Sequence, residues 1–169
     1  MSAPFPDIVD AWRMVSARRS FDGTLPIAGL PRLAEAVAAS TGSVAYEVEF
    51  GRDDLETAFL AIRVQARLTL TCQRTLEPFE WPVTIDTRLG LITREEEEAG
   101  LPPGYEPLLL ESAEIRPADV IEDELLLALP LIPVKPGADE AAVAWSSGPA
   151  EEMDSDRPNP FAVLGRLKK

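Results

Sequence analysis

The sequence contains no histidine. That absence removes the commonest general base, the commonest zinc ligand and every Ser-His or Cys-His nucleophile pair. A single cysteine, Cys72, rules out an intramolecular disulfide and fits a reducing compartment. One thiol without histidine also lacks the donors of a zinc site, so no metal or other cofactor is expected. Neither standard phosphate-cradling glycine loop is present. The longest strongly apolar run, Leu125–Pro133, falls far short of the roughly 20 residues of a membrane span. The first residues lack a basic cluster followed by an apolar stretch, so no secretory signal is read there. These absences together point to a soluble cytoplasmic protein that makes no membrane contact.

What is present is enough apolar residue, 46% of 169, for one domain with a real core. Sixteen prolines point to broken segments and extended connections. The net charge of −13 opposes non-specific binding to nucleic acid or to membrane surfaces. The charge is concentrated: residues 95–158 carry seventeen acids against three basic residues, and the rest of the chain is nearly balanced. A basic partner would be drawn to that stretch.

Periodicity places the elements. After a mixed stretch around Phe21-Asp22-Gly23, residues 30–37 read as a helix with Pro31 in its first turn. Val44, Tyr46, Val48 and Phe50 alternate with polar residues, as in a half-buried strand. Ile62 through Cys72 is the cleanest alternation, and Phe79 through Leu89 alternates again. Residues 93–107 read as an exposed acidic connection and Leu108–Leu110 as one more short strand. A helix opens at Pro117 and stops before Pro130. The fold class is therefore α+β: an antiparallel β-meander or small, partly open barrel with flanking helices. Residues 1–133 form this domain, 134–158 a flexible acidic linker, and 159–169 a short helix with Asn159-Pro160 at its start.

Three groups of residues are candidates for function. Arg63, Arg67 and Arg74 cluster on one strand face and its exit turn, with no acid between positions 57 and 76. They read either as a small RNA contact or, more in keeping with the overall charge, as cross-strand partners of Glu47 and Glu49. In the 118–129 helix, Ile121, Leu125, Ala128 and Leu129 share the core side. Leu126 points the other way among Asp119, Glu122 and Asp123, which suits docking of a basic peptide. The alternatives are a single exposed leucine of no consequence, or a helix covered on both sides. In the tail, Phe161, Leu164 and Leu167 form one apolar face that must dock, on its own domain or on a partner. Carboxylate pairs such as Glu122 and Asp123 could do acid–base work, but acids on the wet side of a helix explain them more simply. Cys72, on the apolar face of its strand, reads as a small buried hydrophobe.

Three stretches resemble the YceD family of large ribosomal RNA subunit accumulation proteins. They are Leu70-Thr71-Cys72-Gln73-Arg74 with Pro78-Phe79, the run Ile121–Pro133, and Asn159-Pro160-Phe161-Ala162-Val163-Leu164 with its basic ending. The resemblance covers most of the chain and implies a role in ribosome biogenesis, with no known active site. Where many members have a Cys-x-x-Cys pair, this chain has Thr75 in the second place. The expectation is a non-catalytic factor whose partner is a basic ribosomal protein or a large-subunit assembly intermediate. Direct RNA contact through Arg63, Arg67 and Arg74 is the rival, and a carboxylate enzyme the more distant one.

Overall fold

The computed structural model describes residues 6–138. The chain divides into two units, Met1–Lys135 and Pro136–Lys169, and every strand and helix named below belongs to the first. The tail residues Phe161, Leu164 and Leu167, and most of the 134–158 segment, lie outside the described residues.

A five-stranded sheet in the order β2-β3-β4-β5-β6 forms the frame, and it is open, not closed into a barrel. Its strands are β2 (Ser20–Pro26), β3 (Ser43–Arg52), β4 (Ala58–Thr71), β5 (Pro78–Ile92) and β6 (Glu106–Leu109). The first four are antiparallel neighbours, while β6 returns parallel to β5, pairing Leu89 with Glu106 and Ile92 with Leu109. The parallel return departs from a pure meander. The acidic connection, with a 3₁₀ turn over Glu95–Gly100, is long enough to bring the chain back in the same direction. A two-residue pair, β1 (Val9–Asp10) with β7 (Glu114–Ile115), ties the start of the domain to the segment before its last described helix.

Strict alternation on β3 and β4 decides which face is buried. Val48 lies opposite Ile62 and Phe50 opposite Leu60, and all four are removed from water. Burying a side chain of this size contributes roughly 1.5–3 kcal/mol, so a one-residue slip that turned the row outward would be ruinous. Three helices cover this face: α1 (Ala11–Ser16), α2 (Pro31–Ala36) and α3 (Pro117–Leu127). They supply Ala11, Val15, Leu33, Ile121 and Leu125 to the core. Asp10 caps α1 by accepting the Arg13 N–H at 2.9 Å, and prolines occupy the first turns of α2 and α3, where no N–H is needed. The core face expected for α3 holds at Ile121 and Leu125. It does not hold at Ala128, which is exposed because the helix ends at Leu127 and Ala128 is its cap.

The 72–77 turn joins β4 to β5, with Leu76 in the left-handed region at φ 58. The segment after α3 lies along this turn: Gln73 N–H donates to Pro133 O at 2.9 Å, and Lys135 Nζ meets Glu77 at 3.0 Å.

Candidate functional site

Helix α3 is fixed by a charged tie to α2. Glu122 is only 2% exposed, yet both its oxygens are engaged. Oε1 accepts the Leu33 N–H at 3.0 Å and Oε2 accepts Arg32 Nε at 2.9 Å. Arg32 also contacts Asp123 and reaches the carbonyl of Asp119 at 3.3 Å. Leu33 N belongs to the first turn of a helix, where no backbone acceptor is available, so the carboxylate replaces a cap that Leu30 cannot provide. Glu122 therefore does not lie on the wet side of the helix, as the sequence pattern suggests. The pattern shows which residues share a side of α3, but not that α2 packs against that side.

The same packing corrects the reading of Leu126. It shares a side with Glu122, is half-buried, and packs against the core. The helix is covered on both sides, by the sheet and by α2. Asp119 and Asp123 remain at the surface. The exposed leucine is one position further on: Leu127 is 78% exposed, four residues from Asp123 and three from Glu124, hence beside both at helical spacing. Beyond the helix Leu131 is fully exposed and Ile132 is 70% exposed. The sequence carried a signal for this, because Leu125-Leu126-Leu127-Ala128-Leu129-Pro130-Leu131-Ile132 holds more large apolar residues than one helix face can bury. Beside Leu127, Asp123 is held by Arg32, whereas Glu124 makes no salt bridge among the described residues. Glu124 is pushed above the usual carboxylate range, first by partial burial and then by the negative charges of Glu106 and Asp123.

On the opposite, outward face of the sheet the arginines meet carboxylates. Register places Glu47, Arg63 and Asp86 side by side on β3, β4 and β5. Arg63 lies 3.5 Å from Glu47 and 3.4 Å from Asp86, and Arg67 lies 3.8 Å from Glu80. Cross-strand pairing thus holds for Glu47, whereas Glu49 stands opposite Ala61 and is not the second partner. Arg74 sits in the exposed 72–77 turn, past the end of β4. Exposed pairs of this kind contribute little to stability, but they neutralise the face that an RNA backbone would need.

Cys72 is buried, as its strand position suggests. Its Sγ accepts the Lys135 N–H at 3.4 Å. That bond, with the Thr75 hydroxyl and amide, lowers the thiol to about 7 against the opposing effect of burial. Thr75 thus serves Cys72 as a hydrogen-bond donor. Among the described residues no group of three or more Cys, Asp or Glu could hold a metal ion, and no helix is long and apolar enough to cross a membrane.

Fold and surface together define an α+β protein with an open, charge-balanced sheet face and an acidic helix that ends in exposed leucines. Residues 60–168 match the family described as Large ribosomal RNA subunit accumulation protein YceD, and the chain belongs to that family. It is 30% identical over 167 residues to a Large ribosomal RNA subunit accumulation protein YceD of Haemophilus influenzae, covering 97% of this chain and 96% of that one. No solved structure matches the chain.

Proposed function

We propose that this protein supports accumulation of large-subunit ribosomal RNA by binding, without catalysis, and that it holds a basic ribosomal protein or assembly intermediate at the acidic end of α3. The observation that carries this reading is Leu127, exposed beside Asp123 and Glu124, the Glu124 carboxyl being raised by partial burial and then by the negative charges of Glu106 and Asp123. An apolar anchor beside acids, of which Asp119 and Asp123 already face Arg116 and Arg32 and Glu124 faces no base among the described residues, favours a partner segment that brings an apolar side chain and lysine or arginine together. Asp119 extends the acidic surface, and Leu131 and Ile132 extend the apolar one. Glu122 and Leu126 act from beneath by fixing the helix. The pairing of Arg63 and Arg67 weighs against RNA contact through the Arg63, Arg67 and Arg74 patch. The engagement of both Glu122 oxygens weighs against acid–base catalysis there.

The test is affinity recovery from cell extract, with and without nuclease, using the full chain and two variants. Leu127→Lys should abolish recovery of a basic protein while leaving the melting temperature within a degree or so, as expected of a surface change. Leu125→Ala, in the core, should destabilise the fold by about 2–5 kcal/mol. Undiminished recovery with Leu127→Lys, or recovery of large-subunit RNA alone that nuclease removes, would refute the proposal.

A further inference from the structure

A second surface carries charge of the opposite sign. Among the described residues Arg13, Arg18 and Arg19 make no salt bridge, although Arg19 lies over the Phe21 ring at 5.7 Å. Arg52 and Arg88 make none either but meet the Glu56 carbonyl and the Phe59 and Tyr105 rings, whereas Arg32, Arg63, Arg67, Arg94 and Arg116 each meet a carboxylate. In a chain of net charge −13, three arginines within seven residues whose side chains no carboxylate pairs call for an explanation. Arg13 and Arg19 border a groove of about 500 Å³ between the β1–α1 corner and β2, whose lining also includes the apolar Ile8, Met14 and Phe21 and the carboxylate of Asp10, which already accepts the Arg13 N–H. Arg13 also borders an adjoining hollow with the half-buried Trp12 and Ser16.

Arg18 adds an independent observation. It ends α1 with φ at 46, donating its N–H to Val15 O at 3.1 Å while Arg19 N–H reaches Met14 O at 3.1 Å. This is the left-handed helix stop at which glycine is unstrained and a β-carbon is not. If only the turn mattered, glycine would be the better residue. Strain of this kind at an exposed cation, next in sequence to the groove residues Ala17 and Arg19, points to use of the side chain.

We propose that this groove and the adjoining hollow hold a short single-stranded RNA segment, with Arg13 and Arg19 taking its phosphates, Arg18 taking one beside them, and Trp12 offering a ring face to a base from the hollow. The planar guanidinium fork suits phosphate oxygens, and no lysine takes part. An indole beside the cations supplies the sequence-tolerant stacking typical of single-strand sites. The remaining negative charge of the molecule limits the contact to a short strand and opposes a long duplex. This surface is separate from the acidic end of α3 and stands whether or not that face binds protein.

The experiment titrates the full chain against a short fluorescein-labelled single-stranded RNA of mixed sequence across a range of salt concentrations. Three phosphate contacts predict a log–log salt slope of about −2, at ~0.7 per phosphate on single strands. Arg18→Gly should weaken binding several-fold and reduce that slope by about 0.7, while the melting temperature holds or rises. The pair Arg13→Gln and Arg19→Gln should remove most of the affinity, and Arg63→Gln with Arg67→Gln should leave it unchanged. Binding that ignores Arg18→Gly and the Arg13/Arg19 pair would overturn the proposal. So would a polyglutamate peptide that binds in an Arg13- and Arg19-dependent way while RNA does not bind, which would assign the groove to an acidic protein.

Discussion

The tie between α2 and α3 makes an asymmetric prediction. Replacing Glu122 with alanine removes a carboxylate that is 2% exposed and leaves the Leu33 N–H without a partner. An orphaned buried donor costs about 1–3 kcal/mol. Arg32 suffers little, because its side chain is 50% exposed and can turn to Asp123 and to water. Replacing Arg32 with alanine strands the charge instead, leaving the Glu122 carboxylate buried with one donor. Breaking a buried pair by removing one partner costs about 3–5 kcal/mol, and the half-exposed position of Arg32 puts this case at the low end. Arg32→Ala should therefore destabilise the protein by about 3 kcal/mol, at least as much as Glu122→Ala. The double variant should lose clearly less than the sum of the two. Urea unfolding followed by circular dichroism, with unchanged m values, measures all three. An Arg32→Ala loss below about 0.5 kcal/mol, the size of an ordinary surface substitution, would show that the tie does not hold the helices together.

Cys72 should make stability depend on pH with a defined sign. Its thiol is lowered from an ordinary 9.0 to about 7, so its contribution is complete above pH 9 and is lost as pH falls through 7. The difference in urea midpoint between wild type and Cys72→Ala should grow from pH 7 to pH 9, and a flat difference would contradict the hydrogen bonding described. Gly51→Ala would place a β-carbon 2.7 Å from the Phe59 ring across the strand pair, in a ring that packs under Arg88, so a loss of about 1–3 kcal/mol is expected in thermal unfolding. Deleting residues 159–169 should abolish partner recovery at unchanged melting temperature if Phe161, Leu164 and Leu167 dock on a partner. A fall in melting temperature would instead show that they dock on their own domain.

The parts of this fold legible in the sequence were those with strict periodicity. β3, β4, β5 and α3 emerge within a few residues of their observed ends, since each has a buried row or stripe that period 2 or 3.6 exposes. The short elements β1, β7 and α1 were not legible, because two to six residues carry too little pattern and none has the first-turn proline that marks the equally short α2. The parallel return of β6 was also hidden, because register across a long connection leaves no local mark. At the candidate site, the helix wheel correctly placed Leu126 with Asp119, Glu122 and Asp123 but took that side for solvent. Only the position of Arg32 and Leu33, some ninety residues away in sequence, turns Glu122 into an internal cap.

Charge is likewise decided by the fold. Counting acids along the chain locates the excess but not where it can act. Across the outward face of the sheet, antiparallel register sets Glu47, Arg63 and Asp86 in one row and Arg67 beside Glu80, so much of the charge there meets its opposite. Near the sheet's other end Arg88 is taken up by the rings of Phe59 and Tyr105, and the Tyr105 hydroxyl donates to Asp53 at 2.9 Å. Beyond these pairs, two surfaces of opposite charge stand out among the described residues: Glu124 with the exposed Leu127 at the end of α3, and arginines with a tryptophan along and just after α1. Opposite unpaired charge on separate surfaces is poorly explained by stability, since neither contributes to it, and is what two partners of opposite sign would require. A protein holding a basic polypeptide at one surface and a short RNA strand at the other would bring the two together without any reaction of its own.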